Sequence, residues 1–121
     1  MKSTKNLFII DDALLIINHL IEILKDEPGI ANIDFAVNTA EAKKYLSQTV
    51  PEIIILDINL GKENGLEFLK FLKQNYPSVH VIVFSNQTNS LYKSLAEKLG
   101  ADYFLDKSSD FGRLASIIAT L

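Results

Sequence analysis

The chain has 121 residues, 48% of them apolar and 22% charged, with a formal net charge of -3 and no cysteine. That length suits one domain with one core, and the lack of cysteine excludes a disulfide scaffold, a thiolate metal centre and a cysteine nucleophile. The acidic balance offers no basic surface for direct nucleic-acid binding, and the longest apolar stretch, Ala13 to Ile17, falls far short of the roughly 20 residues of a membrane span.

Residues 1–6 carry two lysines, but the apolar run after them ends at two aspartates, unlike a signal peptide, so a cytoplasmic protein without membrane partners is expected. That first run, Leu7-Phe8-Ile9-Ile10, stops at Asp11-Asp12. A helix is predicted over 13–26, where Leu20, Ile23 and Leu24 continue a stripe begun by Ile16 and Ile17. Asp26-Glu27-Pro28-Gly29 reads as a turn, and a second strand-like run covers 32–37. Asn38 followed by Glu41 resembles a capping box that starts a helix through Tyr45 and Leu46.

Ile53-Ile54-Ile55-Leu56 stops at Asp57, and Gly61 to Gly65 reads as a loop. A helix from about Gly65 to Asn75 carries Leu66, Phe68, Leu69 and Leu72, with Pro77 marking its exit. Val79 to Phe84 ends at Ser85. In 89–99, Leu91, Leu95 and Leu99 recur every four residues as the stripe of another helix, with Gly100 as its C-terminal cap. Ala101 to Leu105 leads to Lys107, and Phe111, Leu114, Ile117, Ile118 and Leu121 form a last amphipathic face. Five strands alternating with five helices predict an α/β fold, a doubly wound parallel sheet occupying residues 1–121 as one domain. The runs at 53–56 and 79–84 lack polar alternation, as central strands covered on both faces do.

If these runs are parallel, the residues at their ends share the sheet edge where open α/β sheets bind ligands. Three converging carboxylates, Asp11, Asp12 and Asp57, repel one another and favour a cation. Oxygen ligands without cysteine or a nearby histidine favour magnesium. Lys107 and Ser85 then serve to neutralise and hydrogen-bond a phosphoryl group in transit, and Asp57, at the end of a central strand, is the nucleophile candidate for an acyl phosphate.

Ile10-Asp11-Asp12, Leu56-Asp57-Ile58-Asn59-Leu60, Asn64-Gly65, Phe84-Ser85 and Gly100 to Lys107 occur in one order and spacing. With them the chain resembles, over its full length, the receiver domains of two-component response regulators. The resemblance implies a flavodoxin-like sheet of order 2-1-3-4-5. It also implies that Asp57 accepts a phosphoryl group from a histidine kinase or a phosphotransfer protein. Asp12 and Asp57 would ligate magnesium directly, Asp11 mainly through water, and the Asn59 backbone carbonyl would add a ligand. Ser85 would be the switch hydroxyl, Lys107 the family lysine, and Phe104 the aromatic that turns inward when Ser85 moves. The protein would then be a regulatory phosphoacceptor, not an enzyme in its own right. It would assist its own phosphorylation and slow self-dephosphorylation.

Three positions depart from the family pattern: Ser108 stands where proline usually follows the lysine, Gly61 replaces a common proline, and Asn86 replaces a small residue after Ser85. Asn59 and Gln87 occupy positions that tune self-dephosphorylation in the family. Partners expected are the phosphoryl donor, a downstream target protein and, on phosphorylation, a second copy of the chain. The first helix carries more apolar residues than one buried face needs, so Leu14 and Leu15 are candidates to dock a kinase helix or a second receiver. A receiver piece of a longer regulator and a phosphorylation-independent interaction module are the alternatives. His19 and His80 read as a solvent-facing and a structural residue.

Overall fold

The computed structural model describes residues 4–86 and 89–121, so Gln87 lies outside the described residues. Five parallel strands, β1 (Lys5–Ile10), β2 (Ile30–Ala36), β3 (Ile53–Leu56), β4 (His80–Ser85) and β5 (Tyr103–Asp106), form one sheet in the order β2-β1-β3-β4-β5. This is the flavodoxin-like order. The connecting helices are α1 (Leu14–Leu24), α2 (Thr39–Leu46), α3 (Gly65–Asn75), α4 (Ser90–Lys98) and α5 (Phe111–Thr120).

Strand periodicity divides the core in two. Phe8, Ile10, Ile54, Leu56, Val81 and Val83 face α2, α3 and α4, where they meet Ala42, Leu46, Phe68, Leu69, Leu72 and Ala96. Their neighbours Leu7, Ile9, Ile53, Ile55, Ile82 and Phe84 face the other way, onto Ile17, Leu20 and Leu24 of α1 and Leu114, Ile117 and Ile118 of α5. β1, β3 and β4 are covered on both faces, which explains their unbroken apolar runs. Each fully buried Leu, Ile or Phe side chain contributes roughly 1.5–3 kcal/mol of transfer free energy.

Asn38 caps α2 as its position predicts, accepting from the Glu41 N–H at 2.8 Å. Glu41 reaches back to the Val37 N–H, one residue before the partner that a standard capping box uses. The 61–65 loop is more ordered than its composition indicated: Asn59–Leu60 pairs antiparallel with Glu63–Asn64 around Gly61, whose φ of 63° favours glycine.

One stripe is misplaced by the spacing rule. Leu91 and Leu95 of α4 are exposed, while Ala96 is buried and Tyr92 and Leu99 pack partly under the helix. Asn89 caps the Tyr92 N–H, and the small Ala96 lets the short helix lie close to the sheet, so the buried stripe runs one residue beyond the leucines. On α1 the excess apolar side chains stay uncovered, with Leu14 54% and Leu15 82% exposed. Among the described residues no helix is long and apolar enough to cross a membrane.

Candidate functional site

Strand register builds the site. Ile10 of β1 pairs with Leu56 of β3, so the next residues, Asp11 and Asp57, leave the sheet side by side. Here the chain exits β1 toward α1 and exits β3 toward α3, on opposite faces, and a crevice opens between the two departures. Leu56 pairs with Val83, and Ser85 pairs with Asp106, which brings the ends of β4 and β5 to the same edge. Lys107 follows Asp106, and its N–H donates to the Ser85 carbonyl at 3.2 Å.

From there the Lys107 side chain reaches across the end of β4. Its ammonium donates to Asp57 Oδ2 at 2.8 Å and pairs with Asp11 Oδ2 at 2.7 Å. All three groups are buried: Asp11 is 2% exposed, Asp57 3% and Lys107 8%. The remaining oxygens are held locally, Asp57 Oδ1 by the Asn59 N–H at 2.9 Å and Asp11 Oδ1 by the Ala13 N–H at 2.9 Å. Each carboxylate therefore turns one oxygen to its own loop and one to the shared lysine.

Burial raises the Asp11 carboxyl above its ordinary value, against the opposing effects of the Lys107 and Ala13 hydrogen bonds. For Lys107 burial is the largest influence and pulls downward, but the bonds to Asp11 and Asp57 together with their charges outweigh it and hold the ammonium above its ordinary range. Asp12 sits at the rim, exposed to solvent. Carboxylate oxygens of Asp11, Asp12 and Asp57 lie within 4.8 Å of one another, a grouping of three oxygen donors suited to a hard divalent ion. With one ammonium against three carboxylates, an excess of two negative charges remains for such an ion to offset.

A cleft of about 350 Å³ opens onto these groups, lined by Asp12, Ala13, Ile16, Asp57, Asn59, Gly61, Asn86 and Lys107. The structure thus brings Asp11, Asp12, Asp57, Asn59 and Lys107 together. Ser85 is fully buried at the end of β4, beside the cleft wall formed by Asn86. Phe104 lies in register with Val83 and is half-buried on the α4 side of the sheet.

Three features escaped the sequence reading. Ile16 lines the cleft one turn after Asp12, a position that helical spacing from the acidic pair could have indicated. Asp11, read mainly as a water-mediated ligand, is also the direct partner of Lys107. A Cβ on Gly65 would lie 2.2 Å from the Ile58 Cα, so only glycine lets α3 begin against the backbone that directly follows Asp57.

The family model for the response regulator receiver domain matches residues 7–119. A protein-glutamate methylesterase/protein-glutamine glutaminase of Treponema denticola is 31% identical over a 117-residue alignment that covers 93% of this chain and 32% of that protein. The chain therefore spans about a third of that relative's length. A response regulator of Burkholderia pseudomallei, whose crystal structure contains a phosphorylated aspartic acid, a calcium ion and citrate, superposes with a TM-score of 0.82 at 27% identity, covering 96% of this chain and 71% of that one. A receiver domain protein of Methanospirillum hungatei JF-1 shares the fold with a TM-score of 0.88 at 21% identity, covering 98% of this chain and 93% of that one.

Proposed function

Because this chain belongs to the response regulator receiver domain family, we propose that it accepts a phosphoryl group on Asp57 from a histidine kinase or a phosphotransfer protein and passes the signal on through its surface. The observation that carries this reading is the Asp57 carboxylate, buried at the end of a central strand, 2.8 Å from the Lys107 ammonium and open to one cleft. An Asp57 oxygen attacks phosphorus, the bond from phosphorus to the donor atom breaks, and an acyl phosphate forms. Lys107 follows the added charge from the carboxylate to a phosphoryl oxygen without leaving the site.

Asp11, Asp12 and Asp57 would hold magnesium, with the Asn59 carbonyl adding a ligand, and the bound ion would offset the excess carboxylate charge as phosphoryl oxygens enter. Ser85, at the end of β4, is the hydroxyl that would follow the phosphoryl group, and Phe104 beside α4 the aromatic that would follow Ser85. The partner surface is then the exposed side of α4 and β5, where Leu91, Leu95 and Tyr103 face solvent. Donor docking belongs to Leu14 and Leu15 of α1, next to the cleft. The methylesterase activity named for the Treponema denticola relative is not carried over to this chain.

Incubation with magnesium and acetyl phosphate, followed by intact mass, tests the proposal. One labile phosphoryl adduct is expected on the wild type and none on Asp57→Asn. An adduct on both proteins moves the acceptor elsewhere, and none on either rejects phosphoacceptance.

A further inference from the structure

Asp110 occupies the position from which a side chain ordinarily caps a helix, directly before Phe111, yet its carboxylate makes no cap bond to α5. It turns backward instead. Asp110 Oδ2 accepts from the Asp106 N–H at 2.9 Å, while the Asp110 N–H donates to the Asp106 carbonyl at 2.8 Å. These two bonds close a ring around Lys107, Ser108 and Ser109. Within the ring, Asp106 Oδ1 accepts from both the N–H and the hydroxyl of Ser108, at 2.8 and 2.7 Å. A proline at 108 would have neither donor. The other Asp110 oxygen lies 3.6 Å from the exposed Arg113 guanidinium.

We propose that Asp110 is a positioning residue for Lys107: its carboxylate gives up capping α5 in order to clamp the Asp106–Asp110 loop from which the lysine reaches Asp57. The proposal rests on the reading of Lys107 as the cation that meets the phosphoryl group. Lys107 spans the end of β4 to make two short polar contacts at once, so a small displacement of its backbone forfeits one of them. The bonds of Ser108 to Asp106 pull its carboxylate below the usual range, as expected where the loop is built around an ionised Asp106. The clamp therefore serves where the family places proline.

The test compares Asp110→Ala, Asp110→Ser and Asp110→Asn, each alone and in a Lys107→Ala background. Serine can cap α5 but is too short to reach Asp106, whereas asparagine keeps an acceptor at the right length. Rates of adduct formation from acetyl phosphate and magnesium are read together with the NMR signal of the Lys107 ammonium. Alanine and serine should each slow the adduct by about tenfold, asparagine should stay near the wild-type rate, and none should matter once Lys107 is gone. Wild-type rates in Asp110→Ala and Asp110→Ser, or equal slowing with and without Lys107, overturn the proposal. Should the wild type take no phosphoryl group, the proposed function fails and the ammonium signal still decides the clamp. A signal exchanging faster in Asp110→Ser and preserved in Asp110→Asn upholds it, and one unchanged in Asp110→Ser ends it.

Discussion

Lys107 links two buried carboxylates that would otherwise repel each other. Replacing a buried charge costs more than the bond it made, because its partners stay buried and unpaired. Lys107→Met should therefore lower folding stability by about 3 kcal/mol or more, and magnesium should restore part of the loss if the acidic trio binds it. Because the folded ammonium titrates above its ordinary value of 10.5, its stabilisation is complete below that pH and fades as pH rises through the folded value. Urea midpoints followed into alkali should fall more steeply for the wild type than for Lys107→Met. Parallel slopes would mean that the lysine stabilises nothing. The identity of Lys107 was legible from the sequence, since it follows a strand-like run. Its simultaneous bond to Asp11 was not, because it depends on strand order and on how far a long side chain reaches across a neighbouring strand.

Two glycines near the site separate space from backbone conformation. Gly65 has ordinary φ but no room, with Ile58 backbone atoms within 2.5 Å of any Cβ, whereas Gly61 has φ 63° and only the Asp12 carboxylate at 3.4 Å. Gly65→Ala should cost about 3 kcal/mol through overpacking, and Gly61→Ala about 1 kcal/mol through its left-handed backbone. Equal losses in chemical denaturation would contradict this division. At this scale the sequence carried the Asn38 cap, which needs only local chemistry, and missed the Asn59–Leu60 ribbon, whose pairing residues have weak strand propensity. The phase of α4 was also missed. A spacing of four fits two adjacent stripes on a helix this short, and tertiary packing on Ala96 chose between them.

Across the whole molecule, strand order turns four separate run ends into one site; the apolar runs were enough to anticipate a parallel sheet with those ends on one edge, while the order itself came only from the family resemblance. The excess of apolar residues on α1 also pointed to the open surface at Leu14 and Leu15, whereas the exposed side of α4 was not anticipated. Leu15 is 82% exposed beside the cleft, so Leu15→Asp should leave the unfolding free energy from urea denaturation unchanged within about 0.5 kcal/mol and slow phosphoryl transfer from a cognate kinase. It should leave labelling by acetyl phosphate untouched, and a variant that transfers at the wild-type rate removes α1 from the docking surface. The central claim is that the phosphoryl group lands on Asp57 and on no other member of the acidic trio. Borohydride reduction of the acetyl phosphate-treated protein converts an acyl phosphate of aspartate to homoserine, which peptide mass spectrometry locates. Homoserine at position 57 alone is the predicted result, and homoserine at position 11 or 12, or at none, would contradict it.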